Sequence, residues 1–72
     1  MKINVARNVS KKLSGVTAIM NETIRDVMEN DTEEVFVQYR ALGGQIMGII
    51  FLDILTKIYD EHPQLRPPEL RD

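Results

Sequence analysis

The side chains that could carry out catalysis are few in this sequence. It contains no Cys and a single His, which excludes thiolate nucleophiles, thiolate zinc sites and iron–sulfur clusters. His62 is the only imidazole available as a general base. Its acidic neighbours Asp60 and Glu61 directly precede it, and residues so close in sequence do not face one another on a helix. We therefore interpret His62 as a helix C-terminal residue whose cationic form complements the helix dipole.

Carboxylates form no recognisable catalytic or metal site either. Asp53 interrupts an apolar run and is a candidate for catalysis, but a dyad would need a second carboxylate on the same face. Lys57 follows at the spacing and in the order that favour pairing, so we predict an exposed Asp53–Lys57 ion pair, with an interface ion pair as the alternative. Three further acids approximate helical spacing, without the Glu-x-x-His pattern of carboxylate metal bundles: Glu22, Asp26 and Glu29. The sequence thus predicts a protein that is not an enzyme and holds no metal or cofactor.

One basic cluster could contact nucleic acid. Arg7, Lys11 and Lys12 can reach phosphates from a single helix. No aromatic side chain alternates with them, and 9 Lys and Arg against 11 Asp and Glu give a net charge of −2. The pair Gly43-Gly44 is not followed by the Lys-Ser/Thr of a phosphate-binding loop. A dimeric nucleic-acid-binding regulator that uses a basic N-terminal helix is therefore the alternative function, not the first.

Charge is distributed unevenly along the chain. Residues 1–21 carry four bases and no acid, residues 22–34 carry six acids and one base, and residues 35–72 carry five acids and four bases. This layout could steer a partner, or allow two copies to meet head to tail along antiparallel helices. Solvated helix faces are the plainer interpretation.

A long amphipathic helix is predicted to position the N-terminal groups. The 72 residues allow one small domain, and residues 5–29 show apolar residues at helical spacing. The apolar stripe holds Ala6, Leu13, Met20 and Val27 at heptad position a, Val9, Val16 and Thr23 at d, and Val5, Ile19 and Ile24 beside them. This breadth is typical of a helix that faces a core.

A second helical stretch follows almost at once. Asp31 can cap a helix that starts at about residue 32, and Glu34 can reach back as in a capping box. His62-Pro63 ends this stretch, because the residue before proline avoids the helical conformation. A connection of about two residues forces the two helices into an antiparallel hairpin.

Glycines leave the interior of the second stretch open to three interpretations. Gly43-Gly44 either breaks it into helices at 32–42 and 45–61, or lies within one continuous helix. In the continuous case the small residues form a stripe that runs through Ala41, Gly44, Gly48, Phe51 or Leu52, Leu55 and Tyr59, beside an apolar stripe of Val35, Tyr39, Leu42, Ile46, Ile50, Ile54 and Ile58. The third interpretation is an α+β fold with a β-hairpin at 35–52, because Val35, Val37 and Tyr39 alternate.

The second stretch is apolar on nearly all sides, and one amphipathic helix can cover only one of them. The rest would form a contiguous apolar patch, which marks an interaction surface. We predict association through eight residues: Ala41, Gly44, Met47, Gly48, Phe51, Leu52, Leu55 and Tyr59. The partner is a second copy, giving a four-helix bundle, or a heterologous protein, so the chain would act as a small regulator, adaptor, inhibitor or assembly subunit. A membrane span over 41–59 is disfavoured because Gln45, Asp53 and Lys57 interrupt it.

The ends of the chain complete these expectations. Residues 1–62 are predicted to form the helical domain, and residues 63–72 an extended, proline-rich tail that is loose unless Leu65 or Leu70 docks. The first residues lack an apolar signal-peptide core, so we expect a cytoplasmic location.

Overall fold

The computed structural model describes residues 1–68, which form a hairpin of two long antiparallel helices. Helix α1 spans Ile3–Asn30, and helix α2 spans Glu33–Glu61. Within α2 the chain is α-helical over Glu33–Gly48, π-helical over Ile49–Leu55 and α-helical again over Thr56–Glu61. The all-α helical hairpin predicted from the sequence is confirmed.

The start of α2 explains why the β-hairpin interpretation is wrong. Residues 1–68 contain no strand. Thr32 caps α2, and its hydroxyl accepts a hydrogen bond from the Val35 N–H at 3.3 Å. Asp31, the predicted cap, instead accepts from the Thr32 N–H at 2.7 Å, and its own N–H donates to the Val27 carbonyl at the end of α1. The cap therefore lies one residue later than predicted, and Val35 takes the position assigned to Glu34.

Gly43-Gly44 does not break α2, and Gly43 lies where a side chain of α1 packs directly against the α2 backbone. Gly43 is buried, and a Cβ built on it would lie 2.9 Å from Ile24 Cδ1 and 3.3 Å from Ile24 Cγ1. One turn towards the loop, the Tyr39 hydroxyl donates to Thr23 Oγ1 at 2.8 Å. A Cβ on Gly44 or Gly48 would meet nothing within 4 Å. The glycines of the predicted small-residue stripe, Gly44 and Gly48, thus make no close contact within the hairpin, and the glycine that does is Gly43, which was not part of that stripe.

The irregular part of α2 is the π segment, Ile49–Leu55. Its hydrogen bonds join residues five apart, as in the bond from the Thr56 N–H to the Phe51 carbonyl, which also accepts from Thr56 Oγ1 at 2.9 Å. An α-helix would place Ile54 on the same face as Ile50. Here Leu55 takes that place: it is 2% exposed, whereas Ile54 is 38% exposed. The apolar stripe predicted through Ile50 and Ile54 is therefore interrupted at Ile54, and its last member, Ile58, is buried.

The main core lies at the end of the hairpin away from the loop. It consists of Ala6 from α1 and four residues of α2, Ile50, Leu55, Ile58 and Tyr59, with Val9, Leu13 and Leu65 packed against them. The predicted stripe of α1 is only partly buried. Val5, Val16 and Ile19 are exposed, whereas Ser10, which was assigned no role, is buried and donates its hydroxyl to the Arg7 carbonyl at 3.1 Å.

The tail begins by folding back on this core. Pro63–Leu65 form a 3-10 turn, so this part is not extended as predicted. Leu65 packs against the core, and the Arg66 guanidinium binds Asp60 Oδ1 at 2.8 Å. Leu70 lies outside the described residues.

Candidate interaction surface

The largest unexplained feature of the hairpin is a set of exposed apolar side chains on both helices. Successive α-helical residues turn by about 100°, so the direction of each side chain follows from its position. In α1, Ala6, Leu13 and Ile24 point towards α2, and Val16 and Ile19 lie about 80–140° to one side of that direction. Both are exposed, Ile19 by 61%.

Helix α2 has a matching exposed set. Its inward direction is given by Gly43 and Ile50, which are buried. Leu42, Ile46 and Ile49 lie about 60–120° to one side, and all three are exposed. When each helix is viewed from its N-terminus, these exposed residues are rotated away from the inward direction in the same sense in both helices. Because the helices are antiparallel, the two sets lie on one side of the hairpin.

We call this surface the apolar face and define it by Val16 and Ile19 of α1 and Leu42, Ile46 and Ile49 of α2. The contact between Gly43 and Ile24 sets the register, which places Ile19 within about one turn of Ile46 along the hairpin, and Val16 within about one turn of Ile49. Val35 extends the apolar face towards the loop, and Val5 and Ile54 extend it towards the other end. An exposed apolar surface that spans two elements is typical of a binding site.

The opposite side of the hairpin differs in chemistry. It carries Arg7, Lys11 and Arg25 on α1, with Arg40 and Gly44 on α2. The side chains of this set are polar or absent. Met28, Val37, Phe51 and Leu52 are apolar residues exposed away from the apolar face. The apolar face is therefore the largest group of exposed apolar side chains, and the opposite side is mainly polar.

The eight residues predicted as an interface do not form one surface. Leu55 and Tyr59 are buried in the hairpin's own core, so they cannot meet a partner in this structure. Met47 and Gly48 are half-buried, and Ala41, Gly44, Phe51 and Leu52 are exposed but lie away from the apolar face. The apolar face was not predicted because the apolar periodicity of α1 places Val16 and Ile19 in a core-facing stripe. A signal was present, since Val35, Leu42 and Ile49 recur at the seven-residue spacing of a packed helix seam.

Asp53 and Lys57 do not form the predicted ion pair. Both are exposed, and no contact within 4.0 Å joins them in residues 1–68. The spacing that favours such a pair holds for an α-helix, and Asp53 lies in the π segment. Instead the two side chains border an open groove of about 290 Å³, lined also by Met1, Ile54, Ile58 and Glu61.

His62 lies at the helix C-terminus, the position predicted for it. It forms the C-cap of α2, and its Nε2 donates to the Met1 carbonyl at 2.8 Å and lies 3.2 Å from Glu61 Oε1. The N-terminal ammonium also contacts Glu61 Oε1, at 2.5 Å. The hydrogen bond from this ammonium is the main reason that the pKa of Glu61 lies below its ordinary value, with the charges of the ammonium and of His62 adding to it. These contacts hold the first residues against the end of α2.

The basic candidates are accessible but lie on different sides. Arg7, Lys11 and Lys12 are exposed, and Arg7 donates to Asn4 Oδ1 at 3.2 Å. Arg7 and Lys11 lie on the polar side, whereas Lys12 borders the apolar face. Within the described residues, no group of three or more His, Asp or Glu side chains is placed to hold a metal ion.

Helix α2 also has the length and composition of a membrane span. An 18-residue window within Glu33–Glu61 has a mean hydropathy of 1.5, and 22% of it is buried in the hairpin. In the hairpin, however, α1 lies along it with charged residues such as Glu22 and Arg25, which are costly to place in hydrocarbon. The low burial of this window reflects the exposed side chains that α2 contributes to the apolar face.

Comparison with known proteins adds no functional assignment. A scan of protein-family models, a search of curated proteins and a search of solved structures each found no match. The function is therefore argued from the geometry of the chain.

Proposed function

We propose that this chain is a small, non-enzymatic protein–protein interaction module that binds through the apolar face. One observation carries the proposal: Val16, Ile19, Leu42, Ile46 and Ile49 are exposed together on one side of a hairpin whose other side is mainly polar. Covering these side chains with protein would remove their apolar area from water, at roughly 25 cal/mol per Å². A regulator, adaptor, inhibitor or assembly subunit needs no more than such a surface.

A photo-crosslinking experiment tests the proposal. A benzoylphenylalanine side chain is placed at Ile46 on the apolar face, or at Val37 on the polar side as a matched control, in cells of the source organism. Both positions lie on α2 and are similarly exposed, by 45% and 46%. We expect a crosslinked protein adduct from position 46 that is absent from position 37 and is lost when Ile49→Lys is added. Equal yields from the two positions, or no adduct from position 46, would contradict the proposal.

One observation favours the second candidate function, nucleic-acid binding. Lys11 and Lys12 are exposed, and neither forms an ion pair within residues 1–68, so both are available to phosphates. Binding of this kind weakens steeply with salt. Retention of a labelled DNA duplex at about 50 mM salt, lost at about 200 mM salt, would support this function. No retention at the lower salt would eliminate it.

A further inference from the structure

The charges of the hairpin are separated along its length. The half near the loop, residues 22–45, carries six acids and two bases. The other half, residues 1–21 with 46–68, carries six bases and three acids. The hairpin is 44 Å long, several times the Debye length of about 8 Å at physiological salt. The acidic and basic halves therefore do not neutralise each other within one chain.

The apolar face lies between these two charged halves. Val16 is at the midpoint of α1, which spans Ile3–Asn30, and Ile49 lies within about one turn of the same level on α2. A two-fold axis that passes through this point across the helices turns the apolar face onto itself. The same rotation brings the acidic half of one copy alongside the basic half of the other, with Lys12 beside the interface and Arg7 and Lys11 on the outer, polar side.

From this arrangement we propose that a second copy of the chain covers the apolar face, with the two hairpins antiparallel in a four-helix bundle. The inference rests on the proposed function and names its partner. Charge complementarity selects the orientation, because a parallel pair would set acidic half against acidic half. It also selects the partner, because the chain itself supplies a surface that matches both its apolar face and its charges.

Sedimentation equilibrium over a concentration series tests the choice of partner and surface. We expect the chain to dimerise, and Ile46→Lys to weaken the dimer by at least about tenfold, because the new charge would be buried in the interface. Val37→Lys adds the same charge to the polar side of α2 and should change the dissociation constant by less than about threefold. Circular dichroism checks that both variants keep the helical content of the parent chain.

Distances between spin labels test the orientation, and the absence of Cys allows one label per chain. Met28→Cys carries a label near the loop, and Ala18→Cys carries one near the midpoint; both positions are exposed and lie off the apolar face. In an antiparallel dimer the Met28 labels lie at a distance comparable to the 44 Å length of the hairpin, and the Ala18 labels lie much closer together. The dimer should also weaken as salt increases, because its charges attract.

Each contrary result would overturn a different part of the proposal. A dimer whose Met28 labels are closer together than its Ala18 labels, or which strengthens with salt, would overturn the antiparallel arrangement. A chain that stays monomeric would overturn the second copy as partner, while crosslinking specific to position 46 would still support the interaction function. A dimer that Ile46→Lys leaves intact would overturn the apolar face as the surface through which two copies meet.

Discussion

The two halves of the hairpin pack by different means. Near the loop, both helices are regular and meet at Gly43, where the missing side chain leaves room for Ile24. Towards the other end α2 passes through the π segment and returns to an α-helix, and large side chains, among them Leu55 and Ile58, form the core around Ala6. Near the loop, the helices fit together because a glycine leaves space for a side chain of the other helix. At the other end, the π turns change the helical period so that bulky residues point inward. The same two helices thus hold together by two independent mechanisms, and each can be disrupted alone.

The largest effect should come from truncating the π-segment core. Leu55→Ala removes a side chain that is 2% exposed and should lower the free energy of unfolding by about 2–5 kcal/mol. Ile54→Ala, the matched control one residue earlier, should cost clearly less because Ile54 already contacts water. Chemical denaturation measures both. If Leu55→Ala does not fold, Leu55→Val and Ile54→Val give the same comparison, and a greater cost at Ile54 would show that this segment is α-helical.

The next effect concerns the glycine contact. Gly44→Ala should raise the free energy of unfolding by about 1 kcal/mol, because alanine favours a helix and its Cβ meets nothing within 4 Å. Gly43→Ala has the same helical advantage but must displace the Ile24 side chain, so we expect no gain or a loss. Thermal and chemical unfolding of the two variants give the comparison. Equal stabilisation by both would mean that the helices do not approach closely at Gly43.

A smaller effect should come from the hydrogen bond beside that glycine. Tyr39→Phe removes the donor to Thr23 Oγ1 and should cost about 1 kcal/mol. A double-mutant cycle with Thr23→Val isolates the bond, and we expect a coupling energy of about 0.5–1.5 kcal/mol. Strictly additive costs would show that the two side chains act independently.

The smallest effect should be the titration of Glu61 at the other end. Its pKa is held below the ordinary value of 4.5, chiefly by the hydrogen bond from the N-terminal ammonium. A lowered pKa in the folded state contributes stability that is present above the unfolded-state pKa and is lost as the pH falls through the folded-state pKa. NMR titration of the Glu61 carboxyl should find the lowered value. Acetylation of the N-terminus should raise it, and an unchanged pKa would show that the ammonium is not its cause.

Sequence patterns predicted the elements well because their signals are local. The acid-rich segment before Val35, the apolar periodicity of α1 and His62-Pro63 gave two helices, a two-residue connection and the end of α2. The cap was misplaced by one residue because Asp31 and Thr32 are both good caps, and only the backbone path decides between them.

The candidate surface was predicted less well. The sequence indicated that α2 has more apolar sides than α1 can cover, and the low burial of its apolar window agrees. It did not indicate which sides remain open. Counting by α-helical turns placed Leu55 on the predicted interface and Ile54 on the neighbouring apolar stripe, whereas the π segment buries Leu55 and leaves Ile54 exposed.

The amino-acid sequence by itself therefore determined the helices, their antiparallel connection and the separation of charge, because these depend on residues close together in the chain. Only the tertiary structure decided which apolar residues are buried in the hairpin's own core and which stay exposed. That choice depends on the rotation of each helix about its axis. The rotation is set by contacts between residues distant in sequence, at Gly43 and Ile24 and at Leu55 and its neighbours. It is also set by the π turns, which no local sequence pattern predicted.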